Sequence, residues 1–127
     1  MADSIFLNKK DSDKKFEHQT FTNSIFERNI ITEGDVTFHN CVFMETLALD
    51  NLNARELSFL NCKFEGEFHL VNSSFNSGGF TNCIFSNVFK LSSNKTTSFF
   101  VFRNVKANEV TINGEYQGLQ FVTSRME

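Results

Sequence analysis

A four-residue phrase, Asn–small–any–Phe, recurs along the chain: Asn23-Ser24-Ile25-Phe26, Asn40-Cys41-Val42-Phe43, Asn61-Cys62-Lys63-Phe64 and Asn82-Cys83-Ile84-Phe85. The Phe positions are 17, 21 and 21 residues apart. A fixed period of about 20 residues marks a solenoid, in which each repeat buries its apolar side only against its neighbours. A short solenoid offers faces and ends, and rarely a deep pocket.

Other positions keep the same period. Val36 and Phe38, Leu57 and Phe59, Gly78 and Phe80, and Phe100 and Phe102 place their side chains at i and i+2, the strand period. Half a period away stand Leu47 and Leu49, Phe68 and Leu70, Phe89 and Leu91, and Val110 and Ile112. A five-residue beat runs within each turn: Phe16, Phe21 and Phe26; Phe75, Phe80 and Phe85; Phe38 and Phe43; Phe59 and Phe64. These spacings predict four five-residue sides per turn, with one extra residue at a corner. The inward column is then Phe26, Phe43, Phe64 and Phe85, with Ser24, Cys41, Cys62 and Cys83 at a second inward position where the bore is narrow. Asn23, Asn40, Asn61, Asn82 and Asn104 would stack as a ladder of corner amides, a residue type suited to unusual backbone angles. Ser4-Ile5-Phe6 is placed in the opening turn, with Asn8 to Lys15 as a charged loop. Leu119 and Phe121 are placed in the closing turn.

These residues resemble the pentapeptide-repeat family in its degenerate, Phe-rich form. The segments Phe59-Leu60-Asn61-Cys62-Lys63-Phe64-Glu65-Gly66-Glu67-Phe68 and Phe75 to Phe85 carry the likeness, which covers about residues 20–112. The resemblance implies an all-β fold, a right-handed, quadrilateral parallel β-helix of about five to six turns of 17–22 residues. One domain is expected over 1–127: a charged N-terminal cap at 1–18, repeat coils at 19–113, and a C-terminal cap or tail at 114–127. Turns of unequal length, and Phe where many family members place Leu, depart from the family pattern and predict irregular corners. Some members of that family are acidic rods that mimic DNA and bind type II topoisomerases. The resemblance therefore implies, as an alternative function, a DNA mimic that binds or protects such an enzyme.

The chemistry-bearing residues give a bland reading. The three Cys lie on the inward column and lack CxxC spacing, so they read as small buried fillers rather than metal ligands. His18, His39 and His69 fall on different parts of the turn and do not converge. No phosphate-binding glycine motif is present. The expectation is no enzyme, no cofactor and no metal. No apolar run of 18 residues occurs, so no membrane span is expected. An odd number of Cys, with no basic-then-apolar leader, points to a reducing, cytoplasmic setting.

Net charge is −3, but its distribution is uneven. Residues 32–67 carry seven acidic and two basic side chains, and residues 68–108 carry four basic and none acidic. The candidate partner surface is therefore Glu45, Asp50, Glu56, Glu65 and Glu67 in the acidic block, and Lys90, Lys95, Arg103 and Lys106 in the basic one. Lys90 and Lys95 are placed on one side of the coil and Arg103 and Lys106 on another. Four dispersed cations argue against a nucleic-acid partner. The expected function is a non-catalytic structural or protein-interaction module that presents flat β faces to a protein partner. The segment Gly114 to Glu127, with Tyr116, Leu119, Phe121 and Val122, either covers the last turn or joins two copies in a homodimer.

Overall fold

Side chains that alternate in and out at i and i+2, and that recur about every 21 residues, can all be buried only if successive turns stack in register. The computed structural model, which describes residues 13–122 and 124–126, has this arrangement. Thirteen strands, from Lys14–Glu17 to Arg125–Met126, form one sheet that winds through about five turns. Each pairing is parallel: Lys14–Glu17 on Asp35–His39, that strand on Leu47–Leu60, Leu47–Leu60 on Ser74–Thr81, and Ser74–Thr81 on Ile84–Arg103. At about 4.8 Å per strand the stack is about 24 Å tall. No helix is present among the described residues, and none is long and apolar enough to cross a membrane. The opening segment Ser4-Ile5-Phe6 and most of the charged stretch Asn8 to Lys15 lie outside the described residues.

Each coil carries four inward pairs. In the second coil they are Val36 and Phe38, Cys41 and Phe43, Leu47 and Leu49, then Leu52 with the half-buried Ala54. We number the four sides in that order. On the first side Phe16, Phe38, Phe59, Phe80, Phe102 and Phe121 stack one on another, with ring centroids 4.8 to 5.5 Å apart and planes within 19°. Ring spacing follows strand spacing, because the backbone hydrogen bonds fix the rise. A second column, Phe21, Phe43, Phe64 and Phe85, stacks at 4.3 to 4.9 Å. The two columns meet edge to face, as in Phe59 against Phe64 at 5.6 Å and 63°. Offset stacks along the axis and T-shaped contacts across it satisfy both preferred aromatic geometries.

The second column corrects the inward register at its lower end. Phe43 pairs with Phe21, not Phe26. Phe26 is 68 % exposed and lies beside Ala48 on the outer surface of the third side, while its neighbour Ile25 points inward. Ser24 therefore does not belong to the Cys column, and Asn23 does not belong to the Asn column. The apparent 17-residue step was a false register. Measured from Phe21, the steps are 22, 21 and 21 residues. The side-chain period of two explains the error: Ile25 and Phe26 are both apolar, and only one of two adjacent strand residues can face the core.

Two corners require left-handed backbone. At the first, His18, Asn40, Asn61, Asn82 and Asn104 have φ between 52° and 56°. His18 takes the place expected for Asn23. At the second, Asn29, Asn51, Asn72 and Ser93 have φ between 51° and 59°. Asn tolerates this region better than other residues with a Cβ. Backbone geometry is what unites these columns. Amide-to-amide bonds occur at some steps, Asn104 Nδ2 to Asn82 Oδ1 (2.6 Å) and Asn51 Nδ2 to Asn29 Oδ1 (2.8 Å).

Candidate interaction surface

Among the described residues the inward positions are filled by buried side chains. Cys41, Cys62 and Cys83 are buried and free of disulfides. Each thiol donates to a backbone carbonyl of the neighbouring coil at 3.4 Å: Phe16 for Cys41, Phe38 for Cys62 and Phe59 for Cys83. Burial pushes the Cys41 thiol above its ordinary value. The Cys62 thiol is pushed up further, first by its hydrogen bond with Cys83 and then by burial. A thiol held protonated and enclosed is a poor nucleophile and a poor ligand. His39 and His69 face outward on different sides, and His69 Nε2 is tied to Glu67 Oε1 at 2.7 Å. Among the described residues no three His, Cys, Asp or Glu come together as a metal site would require.

A buried polar chain on the fourth side escaped sequence reasoning. Ser73 and Asn94 occupy the inward column that begins Ile30 and Leu52. Ser73 Oγ accepts from Leu52 N (3.0 Å) and donates to the Val71 carbonyl. Asn94 Oδ1 accepts from Ser73 N (2.9 Å), and its Nδ2 donates to the Leu70 carbonyl and to Tyr116 Oη. Among the described residues every buried side-chain nitrogen or oxygen has a partner. These groups complete backbone bonding around the second corner. The signal that could have found them is the period itself, since Leu52, Ser73 and Asn94 are 21 residues apart.

What remains is the outside. The four middle outward rows of the first side are Asp35, Thr37 and His39; Glu56, Ser58 and Leu60; Ser77, Gly79 and Thr81; and Phe99, Val101 and Arg103. The third row is nearly bare, which leaves a trough of about 310 Å³ between the second and fourth. The inward position of that strand is Gly78. A Cβ there would run into the Leu57 carbonyl, and one at Gly79 (φ 154°) into the Val101 carbonyl. Phe100 and Phe75, 5.5 Å apart, supply apolar bulk in the adjoining core. On the third side Phe26, Ala48, His69 and Lys90 line up, and a depression of about 210 Å³ is lined by Phe26, Ala48 and His69 with Arg28 and Asp50 beside them. The fourth side carries an open polar trough of about 450 Å³ lined by Asn53, Ser74, Asn76 and Lys95 among others. At its edge Arg55 makes a two-bond ion pair with Asp35 (2.8 and 3.0 Å).

The charged residues distribute by side as well as by coil. Lys90 and Lys95 are separated by the Ser93 corner, and Arg103 and Lys106 by the Asn104 corner. Lys90 therefore lies on the third side, Lys95 on the fourth, Arg103 on the first and Lys106 on the second. The expected pairing of these cations two to a side is thus corrected: they form a girdle around the stack, because each left-handed corner falls between the members of a pair. Among the carboxylates, Glu56 lies on the first side and Asp50 on the third. Glu45, Glu65 and Glu67 gather at the corner between the second and third sides, where Gly66 packs against the Glu45 backbone. Lys63 pairs with Glu65 at 3.6 Å. Comparison with known protein families, with curated proteins and with solved structures returned no match.

Proposed function

We propose that the protein is a non-catalytic interaction module whose outward rows dock a protein partner, and that it belongs with the pentapeptide-repeat solenoids. The five-residue beat, the small-residue column and the Phe column support the family reading. The observation that carries the docking reading is Phe26, a full aromatic ring held 68 % exposed on a strand whose neighbours are fixed by the sheet. Exposed aromatic side chains beside a shallow depression are the anchors that protein interfaces use most. Arg28, Asp50 and His69 around the depression would supply the polar rim.

The reading is tested by capture from the source cell with wild-type protein and Phe26→Ser. A specific partner that wild type retains and Phe26→Ser loses supports it. A partner retained equally by Phe26→Ser shows that this face is not the docking surface. The alternative, a DNA mimic acting on a type II topoisomerase, calls for carboxylates in one long row. Here Glu56 lies on the first side, Glu65 at the corner between the second and third, and Asp50 on the third, which favours the interaction module. A supercoiling assay with a type II topoisomerase separates the two: inhibition or protection at about micromolar protein belongs to the mimic alone. The three free buried thiols accord with a reducing, cytoplasmic setting for either reading.

A further inference from the structure

We infer that the depression on the third side is a slot for one aromatic side chain of the protein partner, a ring that carries a hydrogen-bond donor as tyrosine and tryptophan do. The inference rests on reading the Phe26 face as the docking surface, and it names what that face receives.

The argument starts from register. Phe26, Ala48, His69, Lys90 and Thr111 stand in one outward column on successive coils. Ala48 is the smallest side chain of the five. Strands rise about 4.8 Å per coil, so those of Phe26 and His69 are about 9.6 Å apart, with only a methyl group between them. Inside the stack, rings on adjacent coils lie 4.8 to 5.0 Å apart, as Phe38 with Phe59 and Phe59 with Phe80 do. A ring seated over Ala48 would stand one coil from Phe26 and one coil from His69. The outer column therefore has the spacing of the inner ladders with its middle rung left out. His69 Nε2 is bonded to Glu67 Oε1 on its own coil at 2.7 Å, which ties the imidazole there rather than across Ala48.

The neighbouring column gives the polarity. Two residues further along the same strands, about 7 Å away, stand Arg28, Asp50 and Val71. A phenol or an indole lying over Ala48 along the strand would point its O–H or N–H at Asp50. Asp50 Oδ1 accepts from Asn72 Nδ2 (3.2 Å), and among the described residues Oδ2 has no partner. An ionised carboxylate only accepts, so it calls for a ring with a donor, which phenylalanine lacks. Arg28 makes no ion pair among the described residues and would flank the ring, where a guanidinium favours an aromatic face.

Size agrees with one side chain. The depression holds about 210 Å³, below the roughly 300–1,000 Å³ of pockets that enclose whole small molecules. Tyrosine and tryptophan are also the residues that most often anchor protein interfaces.

Titration of the isotope-labelled full chain with N-acetyl-tyrosinamide, N-acetyl-tryptophanamide and N-acetyl-phenylalaninamide, followed by backbone amide chemical shifts, tests the proposal. The tyrosine and tryptophan probes should bind with Kd on the order of millimolar, and the shifts should centre on Phe26, Ala48, Asp50 and His69. The phenylalanine probe should bind at least about threefold more weakly. Ala48→Leu fills the empty rung and should weaken every probe by about tenfold or more. Asp50→Ala should erase the preference for rings that carry a donor. Circular dichroism of each variant establishes that the solenoid remains folded, and both positions are outward. Absence of shifts up to about 20 mM probe overturns the proposal. So do shifts centred on another side, equal binding of the three probes, or binding indifferent to Ala48→Leu. Capture from the source cell with Ala48→Leu beside Phe26→Ser separates this inference from the reading it rests on. A partner lost by Phe26→Ser and kept by Ala48→Leu leaves the docking face standing and overturns the slot. A partner kept by both variants removes the docking face and the slot together.

Discussion

Phe64 and Phe85 stack with their ring centroids 4.3 Å apart and their planes within 9°, although 21 residues separate them. Phe64 stacks equally on Phe43 from the other direction at 4.9 Å. A ring held on both faces and enclosed by the edges of Phe59 and Phe68 has no room to be replaced by relaxation. Phe64→Ala should therefore cost about 3–5 kcal/mol in denaturant unfolding. A loss under about 1 kcal/mol would mean that neighbouring coils can close the gap. Phe26→Ser, at the position the phrase repeat makes look equivalent, should change stability by no more than about 0.5 kcal/mol.

The corner column makes a second prediction. Asn61 has φ 53°. Asn61→Gly should be nearly neutral, because glycine enters the left-handed region freely, whereas Asn61→Ala should be less stable than Asn61→Gly by about 1 kcal/mol. Thermal melts of the two variants decide the matter. If alanine and glycine melt together, the amide rather than the backbone is what the corner requires.

The thiol column gives a pH dependence. In the unfolded chain a thiol titrates near its ordinary value of 9.0, while in the folded chain Cys41 and Cys62 are both pushed higher. A folded value above the unfolded one means that the contribution is complete below pH 9 and is lost as pH rises beyond it. Stability should fall from about pH 9 upward, and replacing Cys62 by Ala should flatten that fall. Native protein should also resist a thiol-specific reagent at neutral pH and react at three sites once denatured. Rapid modification of the native chain would contradict the enclosed column.

The Arg55–Asp35 pair titrates at the acid end. The hydrogen bond from Arg55 holds the Asp35 carboxyl below its ordinary 3.8. A depressed value contributes stability above pH 3.8, and that contribution disappears as pH falls through the lower folded value. Asp35→Asn should therefore remove part of the acid-side slope of the stability curve and leave its neutral-to-alkaline part unchanged. Retention of the full slope would place the acid sensitivity elsewhere, for instance at Glu17, which Lys15 holds low.

The stack was legible because its signal is repeated: one residue type at one position, coil after coil. Phe43, Phe64 and Phe85 with Cys41, Cys62 and Cys83 needed no knowledge beyond a period and an alternation. The first coil was harder. Phe21 and Phe26 both fit the five-residue beat, and the Asn preceding Ser24 made the wrong one look right. The uneven step of 17 was the available warning. The second corner, Asn29, Asn51, Asn72 and Ser93, repeats as regularly as the first, but only Asn72 is followed three residues later by a Phe to draw attention. The surface was least legible. Which side a lysine occupies depends on whether a left-handed corner falls before it, and a linear charge count contains no corners.

Register this regular has a consequence for length. Excising Cys62 to Asn82 would join Asn61 to Cys83 and set Cys41 beside Cys83, Phe59 beside Phe102, Leu47 beside Phe89 and Leu49 beside Leu91. Each inward residue would keep an inward neighbour of similar kind, and the rod would shorten by about 4.8 Å. Duplicating the same segment would lengthen it by as much. The chain behaves as a ruler graduated in 21-residue marks, so its span can be reset by whole coils.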